Sequence, residues 1–407
     1  MIERKIVRTI SKYINTDDII VLHGARQVGK TSIMRLMYDR IKKAKYFFDL
    51  EDSRFLSICN GGIDDILAYL RQKGIIKNES DKCFIFIDEV QYLDNPSSLL
   101  KLFCDHHKNV KLVVSGSSSF DIRKKFKDSL VGRTVSFEIF PLDFEEFLLF
   151  RGEKIDLSEK ITNTALTAKL TALYKEFALY GGYPKIALTS DTEMRETYIQ
   201  QIIDTYIRKD IRDLANVKNI DRFNKLIQVL ASQSGNLLNI SELADTTRLA
   251  RQTVEEYLFI LEATFVIRLV HPYYNNIRSE LFKMPKIFFY DTGILSMLCL
   301  KMLPMEITGN IFETSVFSEL VKKYKKENVM FWRTQSKKEL DFVVRDRFNI
   351  IPVEAKINNA AFSSSATRYF TEKYDIEQSY CISLYGDKSD AENVRFIRPW
   401  DIYSGGL

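Results

Sequence analysis

Short apolar runs alternate with amphipathic stretches over the first third of the chain. DIIVLH (18–23), KYFFDL (45–50), CFIFID (83–88) and VKLVVSG (110–116) have strand length. CFIFID is apolar up to its closing carboxylate, as in strands buried on both faces of a sheet. Between these runs, Ser32–Lys43, Ile63–Lys73 and Leu99–His107 carry helical patterns. Strands alternating with helices at this spacing predict an α/β fold with a parallel sheet covered on both sides. VSFEIF (135–140) is a further candidate strand, and PLDFEEFLLF (141–150) opens a helix.

The pattern then changes. Residues 155–215 read as helical, broken at GGYPK (181–185), where a proline and two glycines require a turn. Glu193–Leu214 is predicted as one long helix. Further on, Asp221–Ser232 is helical, and Ile240, Leu243 and Ala244 share one face of a short helix. A turn over Thr246–Ala250 leads to a helix over Arg251–Ala263, with FVIRLVHPY (265–273) and KIFFYD (286–291) as paired strands. Helix, turn, helix and a two-stranded wing predict a winged-helix module. The last segment reads α-β-β-β-α-β: Ile311–Lys325, VMFWRT (329–334), LDFVVRD (340–346), NIIPVEAK (349–356), Ser365–Lys373 and QSYCISLY (378–385). The expected organisation is a P-loop domain over 1–152, a helical lid over 153–216, a winged helix over 217–291 and an α/β domain over 292–407.

The first βα junction carries the clearest chemistry. Gly24, Ala25, Arg26, Gln27, Val28, Gly29, Lys30 and Thr31 match GxxxxGK[ST], with Ser32 following. The strand before and helix after are the context a phosphate-binding loop requires. Two glycines let the backbone wrap closely around phosphates, and loop N–H groups with the helix N-terminus face them. Lys30 would reach the β- and γ-phosphates of ATP, and the Thr31 hydroxyl would hold Mg2+. Asp88 is a second candidate Mg2+ ligand, and Glu89 the general base for water. Ser115, Gly116 and Ser117 end the next strand; Ser117 is a candidate for orienting water, and a plain strand-end turn is the other reading. Arg133 is open between an arginine finger offered to a second copy of the chain and a surface ion pair.

These motifs, GARQVGKT, FFDLED, FIFIDEVQ, VVSGSSS, LVGR and FPLDFEEFL, together resemble the AAA-type ATPases of a prokaryotic family. In that family a P-loop domain is joined to a C-terminal domain of unknown function. GGYPK, IRKDI (207–211), YDTGIL (290–295), GNIFET and the C-terminal EAK run extend the resemblance over nearly the whole chain. It implies ATP binding and hydrolysis.

The C-terminal segment holds a second constellation. Glu313 on a helix, Asp341 on a strand, and Glu354 with Lys356 at the end of the next strand resemble the PD-(D/E)XK nuclease superfamily, with Leu340 where a proline is usual. Asp341 and Glu354 on adjacent strands suit a shared Mg2+, and Lys356 lies on the face of Glu354 because strand side chains repeat every two residues. Two readings stand: a metal-dependent nuclease, and an ion-pair cluster on a nuclease-like scaffold without catalysis. In the winged helix, Arg248, Arg251 and Gln252 are candidate DNA contacts, while Glu255 and Glu256 would repel phosphates. His23, His106, His107 and His271 lack metal-ligand spacing.

Composition narrows the class. A chain of 407 residues exceeds the about 250–300 that one core supports, so several domains are expected. The net charge of +5 is too mild to point to nucleic acid by itself. Five scattered cysteines without a CxxC pair fit a reducing compartment. The N-terminus lacks a signal-peptide core, and no run reaches the about 18 apolar residues of a membrane span, so a cytoplasmic protein without a membrane partner is expected. The reading is a Mg2+-dependent ATPase joined to a nuclease-like domain that acts on or binds DNA. Its rival is a regulatory ATPase whose inactive C-terminal domain binds a protein partner; a homo-oligomer is open to both.

Overall fold

The computed structural model describes the chain apart from residues 1, 79–80, 117–129, 131, 213–216, 275–283 and 392. The chain divides into two compact units, Met1–Phe140 with Ala263–Phe265, and Pro141–Glu262 with Val266–Leu407.

The N-terminal unit runs α1 (Ile6–Ser11), β1 (Ile19–His23), α2 (Lys30–Arg40), β2 (Lys45–Asp49), α3 (Ser53–Asn60), α4 (Ile63–Gln72), β3 (Cys83–Asp88), α5 (Pro96–His106), β4 (Val110–Gly116) and β5 (Thr134–Glu138). Among the described residues its sheet has the order β2-β3-β4-β1-β5, with every pairing parallel. Side chains alternate across the pleat, so each strand feeds two cores. Ile19 and Val21, Ile85 and Ile87, and Leu112 and Val114 pack with Ile66 and Leu70 of α4 and Phe103 of α5. Phe86 points the other way and meets Tyr38 of α2 edge-on, ring centroids 5.6 Å apart. Helix α2 begins two residues earlier than the pattern predicts, because left-handed Gly29 (φ 99°) starts it at Lys30. Helix α3, not anticipated, is set by Asp52, whose carboxylate caps the N–H of Arg54 at 2.9 Å.

The C-terminal unit begins with α6 (Phe144–Phe150), closed by a capping box of Asp143 and Glu146. Helices α7 (Thr164–Tyr180), α8 (Pro184–Leu188) and α9 (Thr192–Ile202) follow. The long helix expected over Glu193–Leu214 continues past α9 with a different winding, π-helical from Ile203 to Ile211, and its expected end at Leu214 lies outside the described residues. Ile203, Ile207 and Ile211 stay buried at a spacing of four, which a wider turn keeps in line. Next come α10 (Ile220–Ser232), α11 (Ile240–Thr247), α12 (Arg251–Ala263), and the antiparallel pair β6 (Ile267–Val270) and β7 (Lys286–Phe289). Residues 235–238 run beside β7, with Gly235 N–H donating to Ile287 O at 2.7 Å and Leu238 N–H to Pro285 O at 2.8 Å.

Helices α13 (Thr292–Leu300) and α14 (Gly309–Tyr324) lead into β8 (Val329–Arg333), β9 (Glu339–Asp346), β10 (Asn349–Asn358), α15 (Ser365–Tyr374), β11 (Ser379–Tyr385) and β12 (Val394–Ile397). Among the described residues these strands form a mixed sheet ordered β12-β11-β10-β9-β8, antiparallel from β8 to β10 and parallel from β10 to β12. Phe317 of α14 lies against Phe288 and Phe342. Phe370 of α15 meets Trp332 edge-on at 5.1 Å. The chain leaving β6 joins the same sheet, since Tyr273 N–H donates to Phe331 O at 2.6 Å. No helix among the described residues is long and apolar enough to cross a membrane.

Candidate functional site

Five parallel strands bring their carboxyl ends to one edge, where α/β sheets bind ligands. Strand β4 lies between β1 and β3, so Ser115 separates the loop after β1 from the carboxylates ending β3. The loop is tightly built. Ile139 N–H donates to His23 O at 2.7 Å, and a Cβ on Gly24 would stand 2.1 Å from Ile139 O. Gln27 (φ 61°) and Gly29 (φ 99°) are both left-handed, which turns the loop back over the start of α2. Helix α2 has no side-chain cap and no acidic residue in its first turn, so its N-terminal dipole faces the loop without a competing anion. Gly24→Ala should therefore destabilise the N-terminal unit by about 1–3 kcal/mol. Chemical denaturation read at that unit checks this; native-like stability would show that the segment carrying Ile139 yields to the methyl group.

Lys30 is 5 % exposed, and its ammonium donates to Gly24 O at 3.0 Å and Ala25 O at 2.8 Å. Burial pushes it down to about 8, against the upward pull of Glu89 and Asp88. Asp88, 2 % exposed, accepts a hydrogen bond from the Ser115 hydroxyl, which accepts one from Glu89 N–H at 3.2 Å. Glu89 is left-handed (φ 57°), a conformation costing a non-glycine residue about 1–3 kcal/mol and concentrated at functional sites. Gln91 donates to the Glu89 carboxylate. Thr31 lies half-buried in the first turn of α2, with Ser32 exposed beside it. The donors fit the expected groups: hard oxygens from Thr31 and Asp88 for Mg2+, and an ammonium beside an uncapped helix start for phosphates.

Arg133 pairs with Asp105, Nε to Oδ1 at 2.9 Å, both partly exposed. Ser117 lies outside the described residues. Arg4 escaped the sequence reading: buried, it donates to Val28 O at 2.9 Å and Phe140 O at 3.0 Å, tying the loop to the end of the unit.

In the C-terminal unit, antiparallel β9 and β10 set Val353 opposite Phe342. This register puts Glu354 beside Asp341. Lys356 Nζ reaches Asp341 Oδ2 at 2.9 Å and Glu354 Oε2 at 2.6 Å, and Ala355 N–H donates to Asp341 Oδ2 at 2.9 Å. Glu313, from α14, is held by Lys286 of β7 at 3.2 Å, and Lys286 also reaches Glu339 Oε1 at 2.7 Å. Of the predicted quartet, Asp341, Glu354 and Lys356 are joined by hydrogen bonds, while Glu313 is paired with Lys286 and feels the charges of Asp341 and Lys356. Burial and then the Asp341 charge push Glu313 up to about 7 and Glu354 well above the carboxylate range. Burial pushes Asp341 up as well, but Lys356, Lys286 and the Ala355 N–H outweigh it and hold it below its usual value. Among the described residues no three His, Cys, Asp or Glu side chains are arranged to hold a metal ion.

Residues 16–148 match the family model for the AAA domain. Residues 171–306 match a domain of unknown function, DUF8612, and residues 308–403 another, DUF4143. An uncharacterized protein of Methanocaldococcus jannaschii is 26% identical over 333 residues, 80% of this chain and 72% of that one. An uncharacterized protein of Haemophilus influenzae is 24% identical over 402 residues, 96% of this chain and 95% of its own length. Among solved structures, a Walker-type ATPase of Pyrococcus abyssi is similar with a TM-score of 0.49 and 14% identity, over 73% of this chain and 96% of that one. The AAA match spans β1, the loop at 24–31, Asp88, Glu89 and Ser115, so the geometry above lies within the segment that is similar to the AAA domain.

In the segment matching DUF8612, Arg251 pairs with Glu255 at 3.0 Å, and the carbonyl of Arg248 accepts from Arg222. Lys286 belongs to this segment, whereas the carboxylates it holds lie in the segment matching DUF4143.

Proposed function

We propose that the chain is a Mg2+-dependent ATPase coupled to a nuclease-like C-terminal unit that binds DNA and does not cut it while its carboxylates are held by lysines. The observation that supports the first part is the buried Lys30 ammonium inside the loop at 24–31, facing the Asp88–Ser115–Glu89 chain. Loop N–H groups and Lys30 grip the β- and γ-phosphates. Thr31 and Asp88 would hold Mg2+, which when bound neutralises phosphate charge. Glu89 takes the proton from the attacking water. Ser115 fixes both the Asp88 carboxylate and the backbone of Glu89.

Ser115→Ala should lower the rate of ATP turnover about ten-fold, the equivalent of one positioning hydrogen bond of about 1–1.5 kcal/mol, with ATP affinity almost unchanged. Steady-state phosphate release and equilibrium titration separate the two. Equal loss in affinity and rate would make Ser115 a structural residue only.

For the C-terminal unit, the hydrogen-bonded Asp341, Glu354 and Lys356 support the nuclease-like reading, and the lysines that hold these carboxylates and Glu313 support binding without cleavage. Purified protein with Mg2+ or Mn2+ should retard duplex DNA in a salt-dependent way and leave plasmid intact. Cleavage lost in Asp341→Ala would contradict the second half of this statement. Absence of any DNA retention would favour the rival, a regulatory ATPase that binds a protein partner, which the ion-paired cluster also accommodates.

A further inference from the structure

The carboxylate cluster contains a cation that does not come from its own motif. Lys286 stands on β7, 27 residues before Glu313, and its side chain is 3 % exposed. Its ammonium lies 3.2 Å from Glu313 Oε1 and 2.7 Å from Glu339 Oε1. Strand β7 cannot easily slide, because β6 pairs with it on one side and residues 235–238 on the other. Gly235 closes over Glu313 so nearly that a Cβ there would come within 3.1 Å of Glu313 Oε2.

Each of the four carboxyl groups of the cluster already has a cationic partner, drawn from three basic side chains. Glu313 and Glu339 share Lys286, Glu339 also takes Arg333 at 3.2 Å, and Asp341 and Glu354 share Lys356 at 2.9 and 2.6 Å. A divalent cation binds through carboxylates whose charge is not neutralised elsewhere. Entering here, it would meet two ammonium groups in a setting from which water is largely excluded, where like charges repel strongly.

We propose that Lys286 is a tethered cation that occupies the Glu313–Glu339 side of the carboxylate cluster and helps to bar a divalent cation from the cluster. Metal uptake by the C-terminal unit then requires Lys286 to be withdrawn. The inference rests on reading Glu313, Asp341, Glu354 and Lys356 as a nuclease-like cluster. It adds what controls that cluster, a residue contributed by a strand outside it.

The test uses Mn2+ alone as probe, on the full nucleotide-free chain, with free Mn2+ followed by electron paramagnetic resonance. The native chain should show no uptake that Asp341→Ala removes. Lys286→Met should take up one Mn2+ at least ten-fold more tightly than the native chain, and adding Asp341→Ala should abolish it. Lys286→Arg, which keeps a cation, should behave as native. Because Lys286→Met leaves Glu313 unpaired, Lys286→Met/Glu313→Gln removes both charges as a check on folding, and its Asp341-dependent uptake should still exceed that of the native chain. Native uptake that depends on Asp341 overturns the proposal, as does a folded variant lacking Lys286 that binds Mn2+ no better than native. Mn2+ uptake by the variant without plasmid cleavage would sustain the tethered cation while removing the nuclease-like reading.

Discussion

Lys30→Ala is expected to weaken ATP binding at least about a hundred-fold and to leave the chain folded. A charge-assisted hydrogen bond contributes about 1.5–3 kcal/mol, and one ammonium shared between two phosphates makes more than one. Its low exposure means the contact forms where water cannot substitute for it. Burial already works against the charged form of Lys30, so removing the ammonium also removes a desolvation cost. Thermal melting of the variant should therefore stay close to native while nucleotide titration goes flat. A variant that still turns over ATP at the native rate would show that the loop at 24–31 is not the phosphate site.

Glu89→Gln separates holding ATP from cleaving it. The amide keeps the size of the carboxylate and can still accept from Gln91, so the left-handed turn at Glu89 should persist. It cannot take a proton from water. Turnover should fall by about 10²- to 10⁴-fold, the usual contribution of a general base. Affinity should be retained, so the variant should hold intact ATP through a rapid separation step that the native protein passes only with ADP. Near-native turnover would remove Glu89 from the role of base and pass it to another group near the end of β4.

The candidate phosphate loop and the carboxylates beyond it could be read from the chain because their parts are short-range. Gly24 to Thr31 are contiguous, the preceding apolar run fixes β1, and Asp88 with Glu89 closes another apolar run. Periodicity also located α14, β8, β9 and β10, the last two of which bring Asp341, Glu354 and Lys356 together. What escaped depends on long-range contact. Arg4 meets Val28 and Phe140 across 24 and 136 residues, and no local pattern marks such an arginine. Lys286 and Glu339 read as ordinary charged residues flanking strands until β7 is set against α14 and β9. Strand β12 was missed because its four residues, VRFI, follow a polar stretch and bury only their two ends, Val394 and Ile397, without the alternation that marks a strand. The π-helical turn from Ile203 escaped because an apolar residue every fourth position is compatible with either winding.

The measurement that bears most directly on the whole account is calorimetric titration of the purified protein with ATP in the presence of magnesium. One binding event per chain, absent from the Lys30→Ala protein, is the predicted result. A native protein that is folded by circular dichroism yet gives no binding heat at several temperatures, and is not stabilised against melting by the nucleotide, would contradict it.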